Sequence, residues 1–247
     1  MTEASPAARQ EMNEVPPQLP AASVGLPAVQ AEWTVAQFLD LEMRLDDILA
    51  MVPYIQPNLT TVIPRLASII VDAGTLVDSI CKAVTSSRMA KSKPNIKDFA
   101  ADLESHCRLS GLNTLLFSYP PAMLTPFAEW SNLSKDGRPS PAWWMTYNDL
   151  KHDRLARLDG STLANAILAT CGVHQLVASS ADFYVPLLRH DVLRTNMNPQ
   201  LWVSCALKGA IAESDAMVES KLFVITPSMK CLTVLDVTPE YPYTLSP

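Results

Sequence analysis

Residues 64–84, PRLASIIVDAGTLVDSICKAV, are the stretch that most constrains the fold. Apolar residues recur there at three- and four-residue steps, which is the spacing of one face of an α-helix. The predicted buried face consists of Leu66, Ile69, Ile70, Ala73, Leu76, Val77, Ile80 and Cys81. Because Arg65, Asp72 and Asp78 interrupt the stretch, we expect a helix inside a folded domain and not a membrane span.

Four other stretches carry helix signals. Ser140 followed by Pro141 combines an N-cap residue with a proline at the first helical position, and Asp159-Gly160 ends that helix. The next helix begins directly after this tight turn, so the two should pack antiparallel. The predicted helices run from Thr34 to about Met51, from 96 to about 111, from Pro141 to Leu158, and from Ser161 onward.

The remaining segments predict three regions. Residues 1–31 are rich in Pro, Ala, Glu and Gln and contain no aromatic residue, so we expect a disordered N-terminal tail. Residues 32–195 form the helical domain, with irregular Pro-rich connections around 113–140. Residues 196–247 form a C-terminal extension, in which KLFVIT (221–226) and CLTVLDV (231–237) predict a short β-hairpin packed on the helical domain. The fold class is therefore mainly α, an antiparallel helical bundle with a small C-terminal hairpin.

Composition excludes several classes of function. With 25 acidic and 19 basic residues the net charge is -6, which disfavours broad binding to nucleic acid or to a membrane surface. The five cysteines are widely spaced and none is in a C-x-x-C pair, so neither a disulfide framework nor a zinc module is predicted. No secretory signal is recognisable at the N-terminus. We expect a cytoplasmic protein without a metal or cofactor.

The candidate site is the stretch WWMTYNDLKHDR, residues 143–154. On a continuous helix its residues fall on two adjoining stripes. The first stripe carries Trp144, Asn148, His152 and Leu155, and the second carries Tyr147, Lys151, Arg154 and Leu158. The polar residues of both stripes can therefore face one pocket.

These residue types suit acid–base chemistry on an anionic substrate. His152 can shuttle a proton, Asn148 can orient it, and Lys151 and Arg154 can neutralise a phosphate. The aromatic residues Trp143, Trp144 and Tyr147 would surround the site and fix the helix. In the competing interpretation the same helix is structural, with its aromatic residues packed in the core and its basic residues in solvent or paired with neighbouring aspartates.

The order YNDLKHDR, on a helix between other apolar helices, resembles the HEPN superfamily of small all-α domains. The family signature is an arginine, usually followed by a polar residue, and a histidine about three positions further on; Asn148 and His152 match the last two elements. Tyr147 stands where the arginine is expected, and Arg154 is the nearest guanidinium that could replace it. The form WW..YN..KH.R is more similar to uncharacterised bacterial and phage proteins than to proven nucleases.

Many HEPN domains are ribonucleases of toxin–antitoxin, phage-defence or RNA-processing systems that cleave RNA as dimers, without metal, through the ribose 2′-hydroxyl. The resemblance, over about residues 33–180, implies a homodimer and an RNA-binding or metal-independent endoribonuclease component in which His152 and Asn148 are catalytic. The alternative is a non-catalytic helical interaction module that binds a protein partner and uses the motif helix for packing or anion binding.

Overall fold

The computed structural model describes residues 26–118, 121–131, 133, 140–195, 198 and 216–225. These residues are mostly helical and include one small antiparallel sheet, which confirms the prediction of a mainly α fold. The helices are α1 (Ala28–Leu49), α2 (Pro64–Met89), α3 (Ile96–Cys107), α4 (Ala142–His152), α5 (Leu163–Ala178) and α6 (Tyr184–Arg189). No described helix combines the length and the apolar character needed to cross a membrane.

Local sequence signals start three of these helices. Pro64 occupies the first turn of α2, where a missing N–H costs nothing. The Asn95 side chain accepts hydrogen bonds from backbone N–H groups in the first turn of α3. The Asp98 carboxylate accepts one from the Asn95 N–H, which completes a capping box. The Thr162 side chain accepts from the backbone N–H of Asn165 and caps α5.

Helix α2 is the centre of the core and packs against α1, α3, α4 and α5. All eight residues of its predicted apolar face are buried. The ion pairs Arg44–Asp72 and Arg65–Asp47 join the end of α1 to the beginning of α2, so these two helices run antiparallel.

Helices α4 and α5 also run antiparallel, as predicted, although residues 153–162 separate them and not only the turn at 159–160. Near the start of α4, Trp143 lies against Gly172 in the second half of α5. Further along α4, the Thr146 hydroxyl accepts a hydrogen bond from Asn165 in the first turn of α5. Helix α4 is thereby fixed against α5 on one side and against α2 on another.

Five short strands form the sheet, in the order β2-β1-β5-β4-β3, with every neighbouring pair antiparallel. They are β1 (Thr114–Leu116), β2 (Ala122–Leu124), β3 (Leu193–Thr195), β4 (Ala216–Glu219) and β5 (Phe223–Ile225). The central strand β5 places Phe223 opposite Leu116 of β1 and Ile225 opposite Val218 of β4. Phe223 is buried and contacts His174 of α5, so the sheet extends the helical core.

The pairing of β5 differs from the predicted hairpin. Residues 223–225 pair with β4 across a turn at residues 220–222 and with β1 far away in the sequence. The other predicted arm, residues 231–237, lies outside the described residues. The β-branched character of KLFVIT identified a strand, but its partners are fixed by tertiary contacts that a local pattern does not contain.

Helix α1 begins at Ala28, six residues before the predicted start at Thr34. Ala31 is fully buried, and the Leu26 N–H donates to the Asp182 carboxylate. Glu32 pairs with Arg189 at the end of α6. These contacts to distant parts of the chain stabilise a first turn that lies in the segment predicted as tail; residues 1–25 of that predicted tail lie outside the described residues.

Candidate functional site

Helix α4, which carries the predicted site, is shorter than the sequence suggested. It starts at Ala142 and ends at His152, whereas the prediction extended it to Leu158. At Asp153 the backbone leaves the helical region, with φ -148° and ψ 74°. The Asp153 carboxylate accepts a hydrogen bond from the Ala156 N–H, a turn contact that competes with helix continuation. Arg154 therefore does not lie on the helical stripe on which the spacing had placed it.

The aromatic residues of α4 face the interior. Trp143 and Trp144 are almost completely buried, and their rings meet edge to face with centroids 5.6 Å apart. The indole N–H of Trp143 donates to the Pro126 carbonyl at 2.8 Å. Trp144 makes an edge contact with Phe99 of α3. These contacts hold α4 against the connection before it and against α3.

Tyr147 is fully buried and packs directly on the backbone of α2. The contact depends on Gly74, because a Cβ at that position would lie 2.3 Å from Cγ of Tyr147 and 2.4 Å from its Cδ2. Real Cβ atoms essentially never come that close to another heavy atom. The absence of a side chain at Gly74 therefore lets the Tyr147 ring lie against the α2 backbone.

Polar groups meet at Asp78, one helical turn beyond Gly74 on α2. The Tyr147 hydroxyl donates to Oδ2 of Asp78 at 3.4 Å, and Lys151 Nζ donates to the Tyr147 oxygen at 3.0 Å. Lys151 Nζ also lies 3.5 Å from Oδ2 of Asp78, and Lys82 donates to the same oxygen at 2.6 Å. We call Tyr147, Lys151, Asp78 and Lys82 the Asp78 cluster.

The hydrogen bond to Tyr147 is the main cause that raises the pKa of Lys151, and the charge of Asp78 adds to it. Lys151 therefore stays protonated, which makes it a cation that binds a carboxylate and not a general base. Its ammonium also lies over the Tyr147 ring, 5.2 Å from the centroid.

The other predicted site residues lie outside the Asp78 cluster. Asn148 donates from Nδ2 to the carbonyl of Trp144 in its own helix, at 3.0 Å. Arg154 donates to the Ser68 hydroxyl of α2 at 2.7 Å. His152 is exposed, and within the described residues it makes no hydrogen bond or ion pair. No hydrogen bond or ion pair in the described part of the chain joins these three residues to one another.

Asp78 and Gly74 were not predicted as site residues, although the sequence contains a signal for them. They are four residues apart, as are Tyr147 and Lys151. The small residue Gly74 lies against the aromatic ring of Tyr147, and the carboxylate of Asp78 lies near the ammonium of Lys151. Only the knowledge that α2 and α4 run side by side makes this match visible.

A second group of polar residues joins α1 to the sheet. The Glu42 carboxylate is buried and accepts hydrogen bonds from the Ser220 hydroxyl, the Lys221 N–H at 3.3 Å and the Leu222 N–H at 2.7 Å. Burial raises the pKa of Glu42, while these hydrogen bonds act in the opposite direction. Glu42 therefore satisfies the backbone donors of the β4–β5 turn.

His174 of α5 lies between two aromatic rings in the core. Its ring centroid is 5.6 Å from that of Phe38 and 5.6 Å from that of Phe223. Neither ring nitrogen makes a hydrogen bond in the described structure. Burial lowers the pKa of His174 to about 3, although the backbone of Val218 lies near enough to oppose the shift slightly. The imidazole is therefore neutral at physiological pH.

Among the described residues, no group of three or more His, Cys, Asp or Glu residues is arranged to hold a metal ion. Cys81, Cys107 and Cys171 are buried, and none of them forms a disulfide.

An open apolar groove lies between α1 and α2. Its apolar end has a volume of about 310 Å³ and is walled by Val29 and Trp33, which are 70% and 67% exposed, over a floor that includes Leu76 and Ile80.

Comparison of the chain with protein-family models, with characterised proteins and with solved structures gives no match.

Proposed function

We propose that this chain is a non-catalytic helical interaction module that binds a protein partner. The observation that carries the proposal is the apolar groove between α1 and α2, where an exposed tryptophan and valine flank a hydrophobic floor. An exposed Trp33 in such a groove is typical of a binding surface, because tryptophan is enriched among residues that dominate interface energies.

The contacts of the motif helix support this choice over catalysis. A general acid–base site needs its groups to converge on one reacting atom. Here Lys151 donates a hydrogen bond to Asp78, Asn148 donates one within its own helix, and Arg154 donates one to Ser68. Three of the four predicted site residues thus have intramolecular partners, and two of them, Lys151 and Arg154, bond to side chains of α2.

The second candidate is an RNA-binding or metal-independent endoribonuclease component of a bacterial or phage toxin or defence system. It is favoured by the exposed run from Lys151 to Arg157, which carries the free imidazole of His152 close in sequence to Arg154 and Arg157. In this candidate His152 is the catalytic acid or base and Asn148 orients it.

The resemblance to the HEPN superfamily leads to two further proposals. We infer a HEPN-like arrangement from the placement of the motif helix α4 between α2 and α5, and a homodimer from the same resemblance. The burial of Cys81 and Cys171 as thiols outside any disulfide supports a cytoplasmic location. The mass of the purified chain by light scattering tests the dimer.

Two assays test the function. A mixture of single-stranded and hairpin RNAs, incubated with the protein with and without EDTA, should remain intact. RNA cleavage by the wild type that is lost in His152→Ala would overturn the interaction module in favour of the nuclease.

In the second assay, a fluorescein-labelled helical peptide with leucines along one face should bind the protein, measured by fluorescence anisotropy. Trp33→Ala should weaken binding about 10-fold or more. The matched control is Leu155→Ala, because Leu155 is an 89% exposed apolar residue that does not line the groove. Equal binding by wild type and Trp33→Ala would refute the groove as the binding surface.

A further inference from the structure

The groove between α1 and α2 continues beyond its apolar end. A second cavity of about 500 Å³ adjoins the first and shares Gln37, Leu76 and Ser79 with it. Along α1 the lining runs from Val29 to Arg44, which is about 22 Å or roughly four helical turns. A groove of this length between two antiparallel helices has the dimensions of a site for a third helix.

The two ends of the groove differ in chemistry. The apolar end is lined by Trp33 and the α2 residues Ile80 and Ala83. The other end is lined by Asp40, Arg44 and Asp72. An occupant must therefore be apolar over about half of its length and polar over the rest.

The polar end carries excess negative charge. Arg44 pairs with Asp40 at 3.1 Å and with Asp72 at 2.9 Å, so one guanidinium faces two carboxylates. The carboxylates are 58% and 52% exposed, whereas the arginine side chain is 30% exposed. A basic side chain on an occupant could reach both carboxylates from the solvent side and balance the remaining negative charge.

The α2 wall of the groove is low enough for close approach of a helix. Apart from Asp72 at the polar end, its exposed residues are Thr75, Ser79 and Ala83, all small. Small side chains let a neighbouring backbone come near, so that the larger side chains of the occupant can reach Leu76 and Ile80 on the floor.

We propose that this groove receives one helix of a partner protein, apolar where it meets Trp33 and basic where it meets Asp40 and Asp72. The proposal rests on the proposed interaction function and adds the chemistry of the partner. The net charge of -6 on the whole chain favours the approach of a basic segment. A second copy of this chain is a poorer occupant, because it repeats the same excess of negative charge.

The test uses two synthetic peptides of about 20 residues, which matches the groove length. Both are helical, alanine-based and fluorescein-labelled, with leucines on one face of one half. On the same face of the other half, one carries lysines and its partner carries glutamates. Affinities for the full-length chain are measured by fluorescence anisotropy at low and at high salt.

The lysine peptide should bind at least about 10-fold more tightly than the glutamate peptide, with a smaller ratio at high salt. The double variant Asp40→Asn with Asp72→Asn should bring the ratio close to one. Asp149→Asn with Asp153→Asn is the control: it changes the net charge equally at exposed positions outside the groove and should keep the ratio. Thermal melts of both double variants show whether they are folded.

Each other outcome contradicts a defined part of the proposal. Equal affinity for the two peptides, still weakened by Trp33→Ala, overturns the basic chemistry of the partner and leaves the interaction function standing. Binding of neither peptide, or binding that Trp33→Ala does not affect, overturns both. Binding that appears only after removal of residues 2–25 overturns the partner helix in favour of that segment as the occupant.

Discussion

The buried imidazole of His174 predicts a specific dependence of stability on pH. The ring stays neutral in the folded protein because burial lowers its pKa to about 3, against an ordinary value of 6.5. Protons therefore bind the unfolded chain more readily than the folded one. The stabilisation is fully present above about pH 6.5 and is lost progressively as the pH falls towards 3.

The magnitude follows from the two pKa values. Between them the free energy of unfolding falls by about 1.4 kcal/mol for each pH unit, so the loss from pH 7.5 to pH 5 is about 2 kcal/mol. Replacing His174 with leucine, which has no titratable group, removes this component. Because both ring nitrogens lack hydrogen bonds, we expect the variant to be at least as stable as the wild type at pH 7.5.

Urea unfolding followed by circular dichroism at pH 7.5, 6.5, 5.5 and 5 measures the difference. Other titrating groups, including Glu42 with its raised pKa, contribute to both proteins and cancel when the two curves are subtracted. His152→Ala is the matched control, because it removes an exposed histidine and leaves His174 in place. Parallel curves for wild type and His174→Leu would refute a buried neutral imidazole.

Two further predictions concern contacts between elements. Gly74→Ala should lower the free energy of unfolding by about 1–3 kcal/mol, because the new methyl group overlaps the buried ring of Tyr147. Thermal melts measure this loss. The control is Gly111→Ala, which should have little effect because no atom lies within 4 Å of the new methyl group. Glu42→Ala should cost about 2–3 kcal/mol by leaving the donors of the β4–β5 turn unpaired, and hydrogen exchange should accelerate first at the Leu222 amide; unchanged exchange there would contradict the role of Glu42.

The helical periodicity predicted the centre of the fold well, because burial on one face of a helix is a local property of the sequence. All eight apolar positions named on α2 are buried. The helix ends were less predictable. Helix α2 continues to Met89 through residues that look like a loop, since the Thr85 hydroxyl donates to Asp102 of α3 at 3.1 Å. Helix α4 ends early because the Asp153 carboxylate accepts a backbone hydrogen bond in a turn. This local contact is not part of the apolar periodicity from which the helix was predicted.

The sheet was not predictable to the same degree. Its strands are three or four residues long, too short for a clear alternation of apolar and polar positions. The central strand pairs Phe223 with Leu116, more than 100 residues away in the sequence. The carboxylate that binds the β4–β5 turn comes from Glu42 on α1, which no local pattern connects to a strand.

Position 147 explains why the candidate site was only partly predictable. The signature that this stretch resembles has an arginine at the corresponding position, whereas Tyr147 is fully buried with its ring against the backbone at Gly74. A guanidinium in that space would lose its hydration, and the nearest carboxylate, Asp78, is already bonded to Lys82 and Lys151. The α2 contact therefore determines which residue suits position 147. Tyr147 and Lys151 have the four-residue spacing of a motif, but in this fold the Tyr147 ring packs on Gly74 and the polar ends of both side chains reach Asp78.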